Sequence, residues 1–136
     1  MTELVKLTPA HLDHLPLPKG LDRRSYFTPG SAAYCLLDDG KPVFAGGVVN
    51  LQWKRGEAWL LATPYLRSNL RTCFRVMREM LPHIAREYGF RRVQACCVAG
   101  VSASLFRHLG FFHEGSLARF GPDGERCDMY CMGVTE

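Results

Sequence analysis

Residues 56–67 read Gly56-Glu57-Ala58-Trp59-Leu60-Leu61-Ala62-Thr63-Pro64-Tyr65-Leu66-Arg67. From Glu57 to Thr63 the run is nearly all apolar, as in a strand buried on both faces near the middle of a sheet. Upstream, residues 32–37 and 42–51 are two more β-rich runs, joined by Asp38-Asp39-Gly40-Lys41. Asp-Gly between such runs predicts a hairpin. Gly46-Gly47 inside the second run predicts a bulge or a close backbone approach. Downstream, Leu70, Phe74, Met77, Leu81, Ile84 and Tyr88 recur at spacings of three and four, the stripe of a long amphipathic helix. Ser68 or Asn69 can cap its start and Gly89 can end it. Pro82 lacks the N–H that would bond back to Arg78, which predicts a kink or break.

The pattern extends to both ends. Residues 4–7 suit a short strand. Thr8-Pro9 then predicts a helix running to about Leu15, stopped by Pro16, Pro18 and Gly20. Residues 21–30 are turn-rich, with room for one more helical turn. Residues 92–99 read as a strand, and residues 102–109 as a short helix stopped by Gly110. Residues 112–120 and 125–132 form a last hairpin around Pro122-Asp123-Gly124. The order β α β β β α β α β β defines a mixed α/β domain with a parallel crossover around the long helix.

The chain has 136 residues, enough for one domain (1–136) and too few for two ordinary ones. Hydrophobic residues make up 47% and charged residues 22%, which excludes a disordered chain. The net charge of +4 is too mild to announce a nucleic-acid protein. Thirteen of the 17 basic residues are Arg, and seven of them fall between Arg67 and Arg92. No apolar run has the length of a membrane span. The start, Met1-Thr2-Glu3-Leu4-Val5-Lys6, lacks signal-peptide shape, so the expected location is a reducing cytoplasm. Cys35, Cys73, Cys96, Cys97, Cys127 and Cys131 then read as free, mostly buried thiols rather than disulfides. Cys127-x3-Cys131 with His108 or His113 is a poor zinc pattern, and no metal is expected. The five histidines form no ligand pattern.

The order of elements, and several motifs in it, resemble the GNAT family of acyl-CoA-dependent N-acyltransferases. Residues 56–67 look like that family's fourth strand with its Pro-x-x-Arg exit, here Pro64 and Arg67. Leu109-Gly110-Phe111 resembles the stop of its late helix, and Phe112-His113-Glu114-Gly115 before an Asp-Gly hairpin is a family-like ending. The resemblance implies a mostly antiparallel mixed sheet with a parallel, splayed central pair, flanked by helices. It implies acetyl-CoA as co-substrate, lying between the strands around Leu61 and Ala95. Leu61, Ala62 and Thr63 would meet the pantetheine arm, and Arg67, Ser68, Asn69, Leu70, Arg71, Thr72 and Cys73 the pyrophosphate, at a helix start that favours anions. The acceptor would be an amine. The chain departs from the family at three places. Leu70 and Thr72 stand where glycines let phosphate approach the backbone. Phe106 stands where many members place a Tyr that protonates the departing thiolate. Ala99 replaces a frequent Asn.

Glu57 is the candidate general base, able to take a proton from an attacking ammonium through a water. The alternative is a hydrated carboxylate at a strand end. Tyr65, Tyr130 and Cys73 are candidate substitute acids, Cys73 because a helix start lowers a thiol pKa. Arg67, Arg71, Arg75 and Arg78 fall near one helix face. They could grip the phosphates of CoA, track nucleic acid, or form a solvated face. No interleaved aromatics support single-strand binding, so nucleic acid is the weakest of the three. The enzyme reading has one rival. Small GNAT-like proteins of tailed phages share the Trp-Leu-Leu strand and the glycine-poor loop. A catalytically degenerate protein of that kind would serve in a virion or host interaction, with protein partners, in host cytoplasm or virion. Either kind could form a homodimer through the last hairpin.

Overall fold

The computed structural model describes residues 1–18, 20–98 and 103–133, with Val98 described by its backbone alone. Seven strands form one sheet: β1 (Thr2–Lys6), β2 (Ala32–Asp38), β3 (Lys41–Asn50), β4 (Arg55–Ala62), β5 (Arg92–Val98), β6 (Phe111–Leu117) and β7 (Cys127–Gly133). Their spatial order is β1-β2-β3-β4-β5-β7-β6, which puts β4 in the middle as its apolar sequence requires. All neighbours are antiparallel except β4 and β5. Three α-helices flank the sheet: α1 (Pro9–Leu12), α2 (Leu70–Tyr88) and α3 (Ala103–His108). Two 3-10 helices, Arg23–Phe27 and Pro64–Asn69, complete the order. The predicted order of strands and α-helices is the observed one, and the 3-10 helix Pro64–Asn69 is an addition to it. The helix expected to reach Leu15 ends at Leu12.

The β2–β3 turn is the predicted one. Asp39 and Gly40 both have positive φ, 49° and 81°, the two-residue geometry that matches strand twist. Gly46-Gly47 resolves into a close approach. A Cβ on Gly47 would overlap the Ala32 carbonyl of β2. The bulge in this pair falls instead between Leu36 and Leu37.

Pro82 does not break α2, which runs unbroken for 19 residues. The helix buries Cys73 and Met77 before the proline and Ile84 and Ala85 after it, so the sheet holds both halves in line. The buried stripe differs from the predicted one at its ends: Leu70 is 45% and Tyr88 38% exposed. Cys73, Ile84 and Ala85 are its fully buried members. Gly89, at φ 74°, ends the helix in the left-handed conformation.

Side chains of β4 alternate between two apolar clusters. Ala58 and Leu60 join the one under α2 and α3, with Phe44, Met77, Ile84, Ala95 and Phe111. Trp59 and Leu61 join the one on the opposite face, with Leu12, Tyr26 and Cys35. β1 and β6 are the edges. The expected edge hairpin therefore offers only β6, while β7 is paired on both sides.

Candidate functional site

The centre of the sheet is open. β4 and β5 pair only at Arg55–Arg92, Gly56–Val93 and Glu57–Gln94, and then separate. From Ala58 to Ala62 one edge of β4 has no strand beside it. Thr63 N–H donates to Val43 O (3.0 Å), which fixes the alternation along β4. Odd-numbered residues turn their backbone groups to β3, and Ala58, Leu60 and Ala62 turn theirs into the gap. Of the three pantetheine candidates, Ala62 thus offers backbone to the gap, while Leu61 and Thr63 are bonded towards β3. The Thr63 hydroxyl also donates to Pro42 O and Val43 O (2.8 and 3.0 Å), tying the strand exit down.

Beneath the gap lies an apolar cavity of about 280 Å³. Ala58, Leu60, Ala95 and Cys97 line it from the strands, Val76, Met77 and Met80 from α2, and Leu105 and Phe106 from α3. The gap opens towards the start of α2. The 3-10 helix Pro64–Asn69, which carries Arg67 and Ser68, runs straight into that start. Asn69 is the N-cap residue but makes no side-chain cap; its Nδ2 donates instead to Tyr65 O (3.0 Å). No side chain therefore covers the first N–H groups of α2 from this position. Arg67, Ser68, Leu70 and Arg71 are exposed around this end, and Asn69 and Thr72 half-buried. Leu70 and Thr72 stand in the first turn of α2, directly after the 3-10 turn.

On the far face of β4, Glu57 is half-buried next to Gln94 of β5. Burial raises its carboxyl above 4.5, while the Arg55 charge and the Gln94 hydrogen bond pull it down. Arg92 fixes Gln94 from the other side, Nε to Oε1 at 2.9 Å, and is itself paired with Glu114. Trp59, on the same face as Glu57, packs on Tyr26 with ring centroids 4.1 Å apart. Among the described residues its buried indole N–H has no acceptor. Gln94 was not singled out from the sequence, although it is the one polar side chain between Val93 and Ala99.

At the late helix, Phe106 stacks on Tyr130 of β7 (4.6 Å) and meets Phe111 edge-on (5.5 Å). Tyr130 stands opposite Ala95 in register, at the opening of the gap. Burial raises its hydroxyl pKa, as do the neighbouring Cys97 and Asp128, while the Arg107 charge pulls it down. Asp128 accepts from Ser116 Oγ (2.6 Å) and lies 3.3 Å from His113 Nε2. The other two candidate acids are not placed this way. Cys73 is fully buried, and burial pushes its thiol up to about 11, overriding the lowering expected at a helix start. Tyr65 is 49% exposed, with the Lys41 ammonium 5.5 Å from its ring centre. Ala99 and Ser102 lie outside the described residues. All six cysteines are free; Cys96 and Cys97 are half-buried and the other four buried. Among the described residues no cluster of His, Cys, Asp and Glu is arranged to hold a metal ion, and no helix is long and apolar enough to cross a membrane.

No family model and no curated protein matches the sequence. Solved structures do match. One assigned as a phosphinothricin N-acetyltransferase superposes with a TM-score of 0.80 at 16% identity, covering all of both chains. An acetyltransferase of the GNAT family from Streptococcus pneumoniae gives 0.76 at 14% identity, covering 99% of this chain and 100% of the other. A Bacillus subtilis acetyltransferase in complex with CoA gives 0.76 at 11% identity, covering 98% of each chain. The chain has the GNAT fold: one mixed seven-stranded sheet with a single parallel pair, flanked by helices.

Proposed function

We propose that this protein is an acyl-CoA-dependent N-acetyltransferase. The observation that carries the reading is the separation of β4 from β5 over an apolar cavity, with the open start of α2 at its end. The gap-facing backbone of Ala58, Leu60 and Ala62 would satisfy the pantetheine amides. The start of α2, with Arg67 and Arg71, would take the pyrophosphate in place of a glycine loop. One of the structural neighbours holds CoA, which supports the choice of cofactor.

The acceptor amine would approach from the Glu57 face. Glu57 would accept its proton through a water, and the freed amine would attack the thioester carbonyl carbon. Gap-facing N–H groups of β4 would receive the oxyanion. The nitrogen of the tetrahedral intermediate gives its second proton to solvent water, and collapse then breaks the C–S bond and releases CoA thiolate. Tyr130 is the hydroxyl best placed to protonate it, since it stacks on the Phe106 that stands in the late-helix Tyr position.

A second reading is favoured by Leu70, Thr72 and Phe106: the fold is kept without turnover. Calorimetric titration of acetyl-CoA and CoA into the protein separates the two, with Arg71→Ala as control. Micromolar binding that weakens in the variant supports the transferase. No heat with millimolar ligand removes it.

A further inference from the structure

A second concavity lies on the other side of Leu109, which borders both it and the apolar cavity. Its volume is about 360 Å³. Arg78, Pro82 and Arg86 stand at i, i+4 and i+8, one stripe along α2, and form one wall. Arg107 and His108 from the last turn of α3 face them. No carboxylate lines the cleft among the described residues.

This arrangement differs from the chain's other arginines of known partnership. Arg23 is paired with Asp13, Arg24 with Asp22 and Arg92 with Glu114. On α2 itself, Glu87 is engaged by His83 (2.8 Å). Arg78, Arg86 and Arg107 have no carboxylate partner among the described residues. Arg78 is held across the cleft by its Nε, which donates to His108 O (3.3 Å). Three arginines line one concavity, and an anion bound there relieves the repulsion among their charges. Their planar forks suit oxygens arranged as in phosphate. Leu109, Gly110, Met132 and Gly133 complete the lining.

We propose that this cleft is an anion site separate from the acyl-CoA cavity, taking a compact phosphate-type dianion on Arg78, Arg86 and Arg107. It does not depend on acyl transfer. The test uses inorganic phosphate, titrated into the whole chain at low ionic strength and followed through the arginine Nε–Hε resonances. Arg78, Arg86 and Arg107 are expected to shift together on one saturable curve. The paired variant Arg86→Ala/Arg107→Ala is expected to bind at least about tenfold more weakly, as loss of charge-assisted bonds requires. The Arg86→Lys/Arg107→Lys variant should fall between, keeping charge and losing the forks. Arg67→Ala/Arg71→Ala, at the other end of α2, should leave the curve unchanged. Shifts confined to Arg67 and Arg71, or no saturation with millimolar ligand, overturn the proposal. So does tighter binding of a single-stranded oligonucleotide through the same three residues, which would make this face a nucleic-acid surface.

Discussion

Glu57 couples stability to the proposed chemistry. Its carboxyl is raised by burial, so the folded chain holds a proton there that the unfolded chain releases. The group therefore favours folding below about 4.5, and that contribution is lost as pH rises through the raised value. At neutral pH its charge is held in a half-buried site at a cost. Glu57→Gln is accordingly expected to raise Tm at pH 7, with the gain shrinking as pH falls towards 4.5. The same variant should lose roughly 10²–10⁴-fold in acetyl transfer while CoA affinity is unchanged. A variant that transfers as fast as the parent would leave Glu57 with only its structural contact to Gln94. Tyr130→Phe keeps the stack on Phe106 and removes only the hydroxyl. It should leave CoA binding intact and slow turnover about 10–100-fold, most at high pH, where solvent is a poorer proton donor. Equal rates would assign thiolate protonation to water.

At the scale of elements, two positions test how the frame is held. Gly47 lets β3 lie against β2 where a Cβ would overlap the Ala32 carbonyl. Gly47→Ala must push the strands apart, and equilibrium unfolding should show a loss of about 1–3 kcal/mol or more. Pro82 is carried inside α2 by the packing of Cys73, Met77, Ile84 and Ala85 on either side of it. Pro82→Ala restores a donor for the Arg78 carbonyl, offset in part by greater freedom of the unfolded chain. A net gain of about 1–3 kcal/mol is expected in the same measurement. An unchanged midpoint would mean that the carbonyl is already satisfied by other means.

For the whole molecule the proposed ligand and the fold are linked. A CoA concentration one hundred times its Kd stabilises the native state by about 2.7 kcal/mol. For a chain of this size that is a Tm rise of roughly 10 °C, readable by scanning calorimetry without knowing the acceptor. The rise should be smaller for Arg71→Ala at the same concentration, because the ligand's affinity is lower. No shift with CoA would leave the frame as a GNAT fold that does not bind CoA.

The sequence alone determined the order of elements, the Asp39-Gly40 turn and the central place of residues 57–63. These rest on local rules: hydrophobic period, turn chemistry and helix stops act over a few residues and are written there. Glu57, Arg67 and Arg71 could be named because a motif marks their positions. Other features were decided only in three dimensions. Met77 and Ile84 are buried as their spacing predicts, but Cys73 and Ala85 complete the buried line of α2 in place of Leu70 and Tyr88, because burial depends on where the sheet surface lies. Pro82 stayed helical because tertiary packing outweighs one lost hydrogen bond. Cys73 became a poor acid because burial outweighed its nearness to a helix start. Gln94 beside Glu57, Tyr130 under Phe106 and Arg107 facing Arg86 each join residues distant in the chain. No local pattern records such meetings; they follow from strand register and from the angle at which helices cross the sheet.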